Sequence, residues 1–133
     1  STELIAQLRD LWPDIQFNWL ADRGYEIPLI AEIESLFPDS GISSIRFNGE
    51  LMDCDDYALL LNAWIKRYRI ENFSNENYHW AFGEVFCSRV NRVDYLHSLN
   101  ICVAQEGVFL IEPQTYEVRL GHPIKDQALL VKI

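Results

Sequence analysis

The sequence predicts an α+β fold, with helices in the first half of the chain and an antiparallel sheet in the second. Three observations lead to this prediction. Apolar residues recur at helical spacing near the N-terminus, a long apolar helix is expected from residue 54, and three segments after residue 80 alternate as strands do. Helices followed by strands along one chain are typical of this class.

The composition fits one domain over residues 1–133. Hydrophobic residues make up 49% of the chain, which is enough for a core of its own. No linker is long enough to divide the chain. Three cysteines, Cys54, Cys87 and Cys102, lie far apart and without CxxC spacing, which disfavours both a disulfide framework and a zinc knuckle. A reducing compartment, the cytoplasm, is therefore expected.

The net charge of −9 limits the partners that this chain can bind. An excess of acidic side chains repels phosphate backbones and anionic lipids, so neither nucleic acid nor a membrane is expected as a partner. No apolar run is long enough to span a bilayer, and the first residues are acidic where a signal peptide would be basic.

The shorter helices come first. Apolar residues at helical spacing predict one helix that ends at Pro13 and a second that begins at Pro28 and ends at Pro38. The long helix then begins at Cys54. Its apolar positions continue nearly all the way round, which predicts a central, largely buried helix: Tyr57, Ala58, Leu59, Leu60, Leu61, Ala63, Trp64, Ile65 and Tyr68.

Three aspartates, Asp53, Asp55 and Asp56, crowd the first turn of the long helix. Carboxylates there accept hydrogen bonds from free backbone N–H groups and suit the positive end of the helix dipole. A calcium site fits less well, because the alternating oxygen ligands and the glycine of a calcium loop are missing. Capping is therefore expected, without a metal or any other cofactor.

The strand containing "YLHSLNICVA" places His97, Leu99, Ile101 and Val103 on one face. This mostly apolar face must cover something buried, and the long helix is the large apolar element without an assigned partner. His97 is therefore expected to lie close to Cys54. A thiol at a helix N-terminus beside an imidazole is a common arrangement for a nucleophile.

The next strand offers a partner for His97. A two-residue hairpin turn at Gln105–Glu106 or Glu106–Gly107 pairs residues whose numbers sum to 211 or 213. Either register puts Glu112 and Gln114 on the face of His97. A slip of one residue would turn Glu112 to the other face.

A cysteine that opens a long helix, followed by strands carrying a histidine and then an acid, resembles the papain-like superfamily. The run "DCDDYALLL" looks most like its transglutaminase-like branch, especially the small bacterial cysteine proteinases. The resemblance covers about residues 44–116. It implies a papain-like core, in which a central buried helix packs on an antiparallel sheet of about three or more strands.

The resemblance also implies a site and a reaction. Cys54 would be the nucleophile, His97 the general base and acid, and Glu112 the orienting group, where that branch usually carries Asp. Asn100 or Gln114 could replace Glu112 in this role, and the Cys54 backbone N–H with Asn48 could hold the oxyanion. The implied activity is amide or peptide hydrolysis, or acyl transfer, on a protein or peptide substrate.

Other interpretations remain open. Cys54 could be an inert thiol, His97 a satisfied core histidine, and Glu112 a surface carboxylate paired with Arg119. The rival function is a non-catalytic binding module of the same fold, which recognises a protein or a carbohydrate through the aromatic residues between Tyr78 and Phe82. A third interpretation is an inhibitor or effector whose acidic surface covers a basic partner. Cys87 and Cys102 are expected to fill the strands.

Overall fold

The structure is a computed structural model that describes residues 2–19 and 24–133. Its helices and strands follow one another as α1 (Thr2–Leu11), β1 (Gln16–Trp19), α2 (Ile30–Glu34), α3 (Phe37–Ser40), a 3-10 turn (Ile42–Ser44), α4 (Cys54–Asn72), β2 (Phe82–Val90), β3 (Val93–Ala104), β4 (Gly107–Glu112), β5 (Glu117–Leu120) and β6 (Gln127–Lys132). None of the helices in these two ranges combines the length and hydropathy that a bilayer span needs.

The strands of the described residues form one mixed sheet in the order β1-β6-β2-β3-β4-β5. β1 pairs with β6 in parallel, and the other neighbours are antiparallel. The strands β2, β3 and β4 are consecutive in sequence and in space, so they form a meander. The last strand, β6, lies between β1 and β2 in the sheet, so the first and last strands of the chain are hydrogen-bonded neighbours.

Helix α1 covers one face of the sheet. Leu4 and Leu8 lie one turn apart and are buried, as is Trp12 just beyond the helix. They pack against the side chains of β2, β3, β4 and β6 that point to this face, among them Val85, Cys87, Leu99, Ile101, Val103, Val108, Leu110, Ala128 and Val131.

The other face of the sheet is covered by α2, α3, the 3-10 turn and α4. Its core includes Ile33, Phe37, Tyr57, Leu61, Ile65, Phe82, Cys102 and Ile111. Asn100, which is fully buried, ties α4 to the sheet: its Nδ2 donates to the backbone oxygens of Ala58 at 2.8 Å and Gly83 at 3.0 Å.

The predicted fold class is wrong in its central element. Helix α4 is not buried all round, since Leu59 is 47% exposed and Leu60 is 38% exposed. A helix on a sheet buries one face, and the short elements α3 and the 3-10 turn cover a further part of α4. The sheet is mixed and wider than the predicted meander, so the helix-centred papain-like core is not what forms.

The predicted packing of the His97 face against the Cys54 helix is also wrong. Directly paired residues share a face, and His97 pairs with Cys87, which lies in the cluster under α1. The α4 side of β3 carries Asn100 and Cys102 instead. The sequence contains two apolar helices for two faces, and α1 takes the face that was assigned to α4.

A buried ion pair joins strand β5, the turn between β2 and β3, and the loop between β5 and β6 at one end of the sheet. Asp126, whose side chain is fully buried, accepts two hydrogen bonds from the Arg119 guanidinium, one of them at 2.8 Å. It also accepts the backbone N–H groups of Asn91 and His122, each at 2.8 Å. Burial alone would raise the pKa of Asp126, but these hydrogen bonds outweigh it and hold the pKa below its ordinary value.

Candidate functional site

His97 and Glu112 form a short pair. Their Nε2 and Oε2 atoms are 2.6 Å apart, and the side chains are only 12% and 23% exposed. The register explains the contact: Asn100 pairs with Ile111 and Ile101 with Leu110, so partners sum to 211. The predicted placement of Glu112 on the His97 face is confirmed, and its predicted alternative partner, Arg119, binds Asp126 instead.

The Glu112 carboxylate is held on both sides. Oε2 is hydrogen-bonded to His97, and Oε1 accepts a hydrogen bond from the backbone N–H of Gln114 at 3.2 Å. Strand β4 ends at Glu112 and the chain turns immediately, which brings the Gln114 N–H back to the carboxylate. Gln114 therefore positions Glu112 through its backbone.

An open aromatic ring lies beside this pair. The Tyr95 ring, 44% exposed, stacks on the His97 imidazole with ring centroids 5.1 Å apart. Tyr95 belongs to a pocket of about 140 Å³, here named the Tyr95 cleft, that is lined by Val90, Asn91, Tyr95, Leu99, Leu110, Glu112, Glu117 and Arg119. The sequence analysis missed Tyr95, although it alternates with His97 on the same strand face and could have been found from that spacing.

Cys54 lies at the first residue of α4 and is partly exposed. Burial raises the pKa of Tyr95, and the charges of Glu112 and Cys54 raise it further. In the described part of the chain, however, the Cys54 thiol forms no hydrogen bond with His97. The structure thus brings His97 and Glu112 together and does not join Cys54 to either of them by a hydrogen bond.

The aspartates around Cys54 cap the helix. The Asp53 backbone N–H donates to the Asp56 carboxylate at 3.1 Å, half of a capping box. The carboxylates of Asp53, Asp55 and Asp56 lie within 4.8 Å of one another, as expected for side chains that share one helical turn.

The two asparagines predicted to assist Cys54, Asn48 and Asn100, form other hydrogen bonds in the structure. The Asn48 side chain is exposed, and its backbone exchanges hydrogen bonds with Met52 at 3.0 and 2.9 Å, which closes the turn before α4. Asn100 is committed to Ala58 and Gly83 on the α4 face, away from the face of His97. Neither side chain contacts the His97–Glu112 pair.

The remaining thiols are buried in the sheet. Cys87 and Cys102 are both inaccessible, and burial raises the pKa of each to about 12. These thiols remain protonated near neutral pH, so Cys54 is the thiol available for chemistry.

The aromatic segment between Tyr78 and Phe82 is mostly core. Trp80 is 4% exposed and Phe82 is fully buried, whereas Tyr78 is 52% exposed. Tyr78 lines a second groove of about 240 Å³, here named the Tyr78 groove, together with Arg69, Ile70, Phe73, Ser74, Glu76, Asn77 and His79. The predicted binding surface is thereby reduced to one aromatic ring.

Comparison with known proteins identifies the family. The model of the agglutinin C-terminal family matches residues 25–118, most of the chain. No match was found among curated protein sequences. Similar solved structures include PSL1a in complex with E64, at 21% identity and a TM-score of 0.82. Another is the Polyporus squamosus lectin bound to the epitope Neu5Aca2-6Galb1-4GlcNAc, at 20% identity and a TM-score of 0.79. Each match covers 99% of this chain and 48% of the other, so the chain spans about half the length of these structures.

These findings contradict the predicted transglutaminase-like family and the predicted cysteine hydrolase, whether peptidase or amidase. The resemblance rested on one short run and on the order of three residues, and such short patterns arise in unrelated folds. The predicted protein or peptide substrate depended on that resemblance and is therefore not supported either. The findings agree with the alternative interpretation, a non-catalytic binding module. The chain belongs to the agglutinin C-terminal family.

Proposed function

We propose that this chain is the binding module of an agglutinin and that a carbohydrate binds in the Tyr95 cleft. One observation carries the proposal: an open aromatic ring and a fixed carboxylate, Tyr95 and Glu112, border one pocket with an apolar floor of Leu99 and Leu110. Ligand pockets commonly combine an apolar surface with a few well-placed polar groups.

The chemistry of the cleft suits a sugar ring. The face of Tyr95 offers an apolar surface to the C–H groups of a sugar, while Glu112, Glu117 and Asn91 offer hydrogen-bond acceptors and a donor to its hydroxyls. Because Glu112 is already held by His97 and Gln114, little ordering is needed on binding. The volume of about 140 Å³ is close to that of a cavity that holds one six-membered ring.

The relatives support a carbohydrate as the ligand class. The matched family is named for agglutinins, and one similar structure is a lectin with a bound oligosaccharide. The likeness of family and fold supports a carbohydrate as the ligand class, and the position of the epitope in the other structure does not place a ligand in this chain. Its neutral part, Galβ1-4GlcNAc, is a suitable first probe for this chain.

Removing the Tyr95 ring should weaken carbohydrate binding. We expect Tyr95→Ala to raise the Kd for Galβ1-4GlcNAc at least about tenfold, which corresponds to about 1.4 kcal/mol of lost contact. Isothermal titration calorimetry of the folded variant measures this.

The matched control is Tyr78→Ala, since Tyr78 is a similarly exposed tyrosine in the other groove. The control should bind as the unmodified chain does. A loss of binding in Tyr78→Ala with no change in Tyr95→Ala would place the ligand in the Tyr78 groove and contradict the proposal.

A second candidate function uses Cys54 as a reactive thiol. Two observations favour it: the His97–Glu112 contact of 2.6 Å, and a partly exposed thiol at a helix N-terminus. In this proposal Glu112 orients the imidazole and His97 takes the thiol proton. The sulfur of Cys54 then bonds to an electrophilic carbon of the ligand as that carbon's bond to a leaving oxygen breaks, and His97 passes the proton to that oxygen.

Thiol labelling tests this second candidate. Iodoacetamide at neutral pH should alkylate Cys54 first, since the pKa of Cys87 and of Cys102 is raised to about 12. His97→Ala should slow the alkylation of Cys54 while Tyr78→Ala leaves it unchanged. E64, the partner of PSL1a, is a second probe, and an adduct on Cys54 that is absent from Cys54→Ser would appear in the intact mass. Alkylation at equal rates with and without His97 would exclude the assigned roles.

We propose that the 133 residues fold as one domain, because both core clusters pack on the same sheet. We further propose a reducing compartment, the cytoplasm, because Cys54, Cys87 and Cys102 are free thiols. A single cooperative urea transition is expected for one domain.

A further inference from the structure

A groove with a positive net charge interrupts the acidic surface. It has a volume of about 630 Å³ and is here named the basic groove; its lining residues are Arg89, Arg92, Asp94, His122, Ile124 and Lys125. Three cations against one carboxylate leave a local charge of +2 on a chain whose net charge is −9. Such a reversal of sign concentrates attraction for anions at one place.

Two of these cations are not neutralised. Arg89 is bound to Asp94 at 2.6 Å and to the Ile124 backbone oxygen at 3.3 Å. By contrast, the side chains of Arg92 and Lys125 form no ion pair or hydrogen bond with the described residues. The free positive charge of the basic groove therefore comes from Arg92 and Lys125.

The turn that presents Arg92 has an unusual backbone. Asn91 and Arg92 connect β2 to β3 with φ angles of 46° and 73°. A tight hairpin turn of this kind favours glycine at its second position, whereas arginine is strained there. The turn is fixed by the Arg92 N–H, which donates to the Lys125 oxygen at 2.7 Å. Strain retained at an exposed charged residue points to a role in binding.

His122 adds a hydrogen-bond donor to the groove. Its Nδ1 accepts the backbone N–H groups of Ile124 and Lys125, each at 3.1 Å, so the ring proton resides on Nε2. Beside it Ile124 is 72% exposed and offers apolar surface. The basic groove thus combines free cations, a hydrogen-bond donor and an apolar contact.

We propose that the basic groove binds the anionic groups, sulfate or carboxylate, of an acidic oligosaccharide. Arg92 and Lys125 supply the charge, and His122 and Ile124 contact the sugar. The inference rests on the proposed function only in naming an oligosaccharide as the carrier of the anion. The basic groove and the Tyr95 cleft flank the same turn, since Asn91 lines one and Arg92 the other.

A heparin hexasaccharide is the probe for the test, with neutral maltohexaose and a hexaglutamate peptide beside it. Calorimetry at low salt should show that the heparin fragment binds and that maltohexaose and hexaglutamate do not. The double variant Arg92→Gly/Lys125→Gln should raise its Kd at least about tenfold, and added salt should weaken binding in the unmodified chain. The matched control is Arg67→Gln, which removes a 77% exposed cation from α4.

The single variant Arg92→Gly separates binding from folding. Glycine relieves the backbone strain that the positive φ imposes on Arg92, so the Tm should rise while heparin binding weakens. No binding of the heparin fragment, or binding that the double variant leaves unchanged, would overturn the proposal. Equal binding of hexaglutamate would also overturn it, because the groove would then lack preference for a sugar. None of these outcomes changes the test of the Tyr95 cleft with a neutral disaccharide.

Discussion

Replacing Asp126 with alanine is expected to lower the free energy of unfolding by about 3 to 5 kcal/mol. The change removes the acceptor of two hydrogen bonds from Arg119, whose side chain is only 24% exposed, and leaves that guanidinium without its counter-charge. It also frees the backbone N–H groups of Asn91 and His122. Urea unfolding at neutral pH, followed by tryptophan fluorescence, measures the effect.

Asp94→Ala is the matched control for Asp126→Ala. Asp94 also pairs with an arginine, but its side chain is 73% exposed, so its loss should cost less than about 1 kcal/mol. Equal losses in the two variants would contradict the assigned role of the buried pair.

The stabilisation from Asp126 also depends on pH. Because the pKa of Asp126 is lowered in the folded chain, the stabilisation is complete above the unfolded-state pKa of about 4 and is lost as the pH falls through the folded-state pKa.

Gly83→Ala is expected to cost about 3 kcal/mol or more. A Cβ atom at this position would lie 2.0 Å from the Lys132 backbone oxygen and 2.8 Å from the Ile133 Cα. Backbone atoms cannot rotate away as a side chain can, so β2 and β6 would have to separate. The same shift would disturb the Gly83 oxygen that accepts from Asn100. Urea unfolding measures the loss, or the variant fails to fold.

Gly49→Ala provides the comparison for Gly83→Ala. Nothing lies within 4 Å of a Cβ at Gly49, although its φ of +39° makes any side chain mildly unfavourable. A cost of about 1 kcal/mol is expected there. If Gly83→Ala proved as mild as this control, the close approach of the two strands would not exist in solution.

The contact between His97 and Glu112 could be predicted from the sequence, because it depends on local geometry. A two-residue turn at Gln105 and Glu106 fixes the pairing of β3 with β4, and strand alternation then fixes the face of each side chain. The position of Tyr95 beside His97 follows from the same alternation.

The position of α4 could not be predicted in the same way. An apolar stripe shows that a helix packs on something, but not on which face of a sheet, and both α1 and α4 carry such a stripe. Leu59 and Leu60 do not show that α4 is buried all round, since apolar side chains are common on protein surfaces.

Asp126 was missed for a different reason. Its partners come from different elements, namely the turn between β2 and β3 (Asn91), strand β5 (Arg119) and the loop before β6 (His122), and no sequence pattern marks them as partners. The family could not be read from Cys54 and its aspartates either, because capping residues at a helix N-terminus are expected in any fold.

The most direct test uses the three histidines as reporters in a nuclear magnetic resonance titration with Galβ1-4GlcNAc. His97 contacts Glu112 at the Tyr95 cleft, His79 lines the Tyr78 groove, and His122 lines the basic groove. The account predicts that the ring signals of His97 shift with added disaccharide while those of His79 and His122 stay unchanged. Unchanged His97 signals at saturating disaccharide would contradict it.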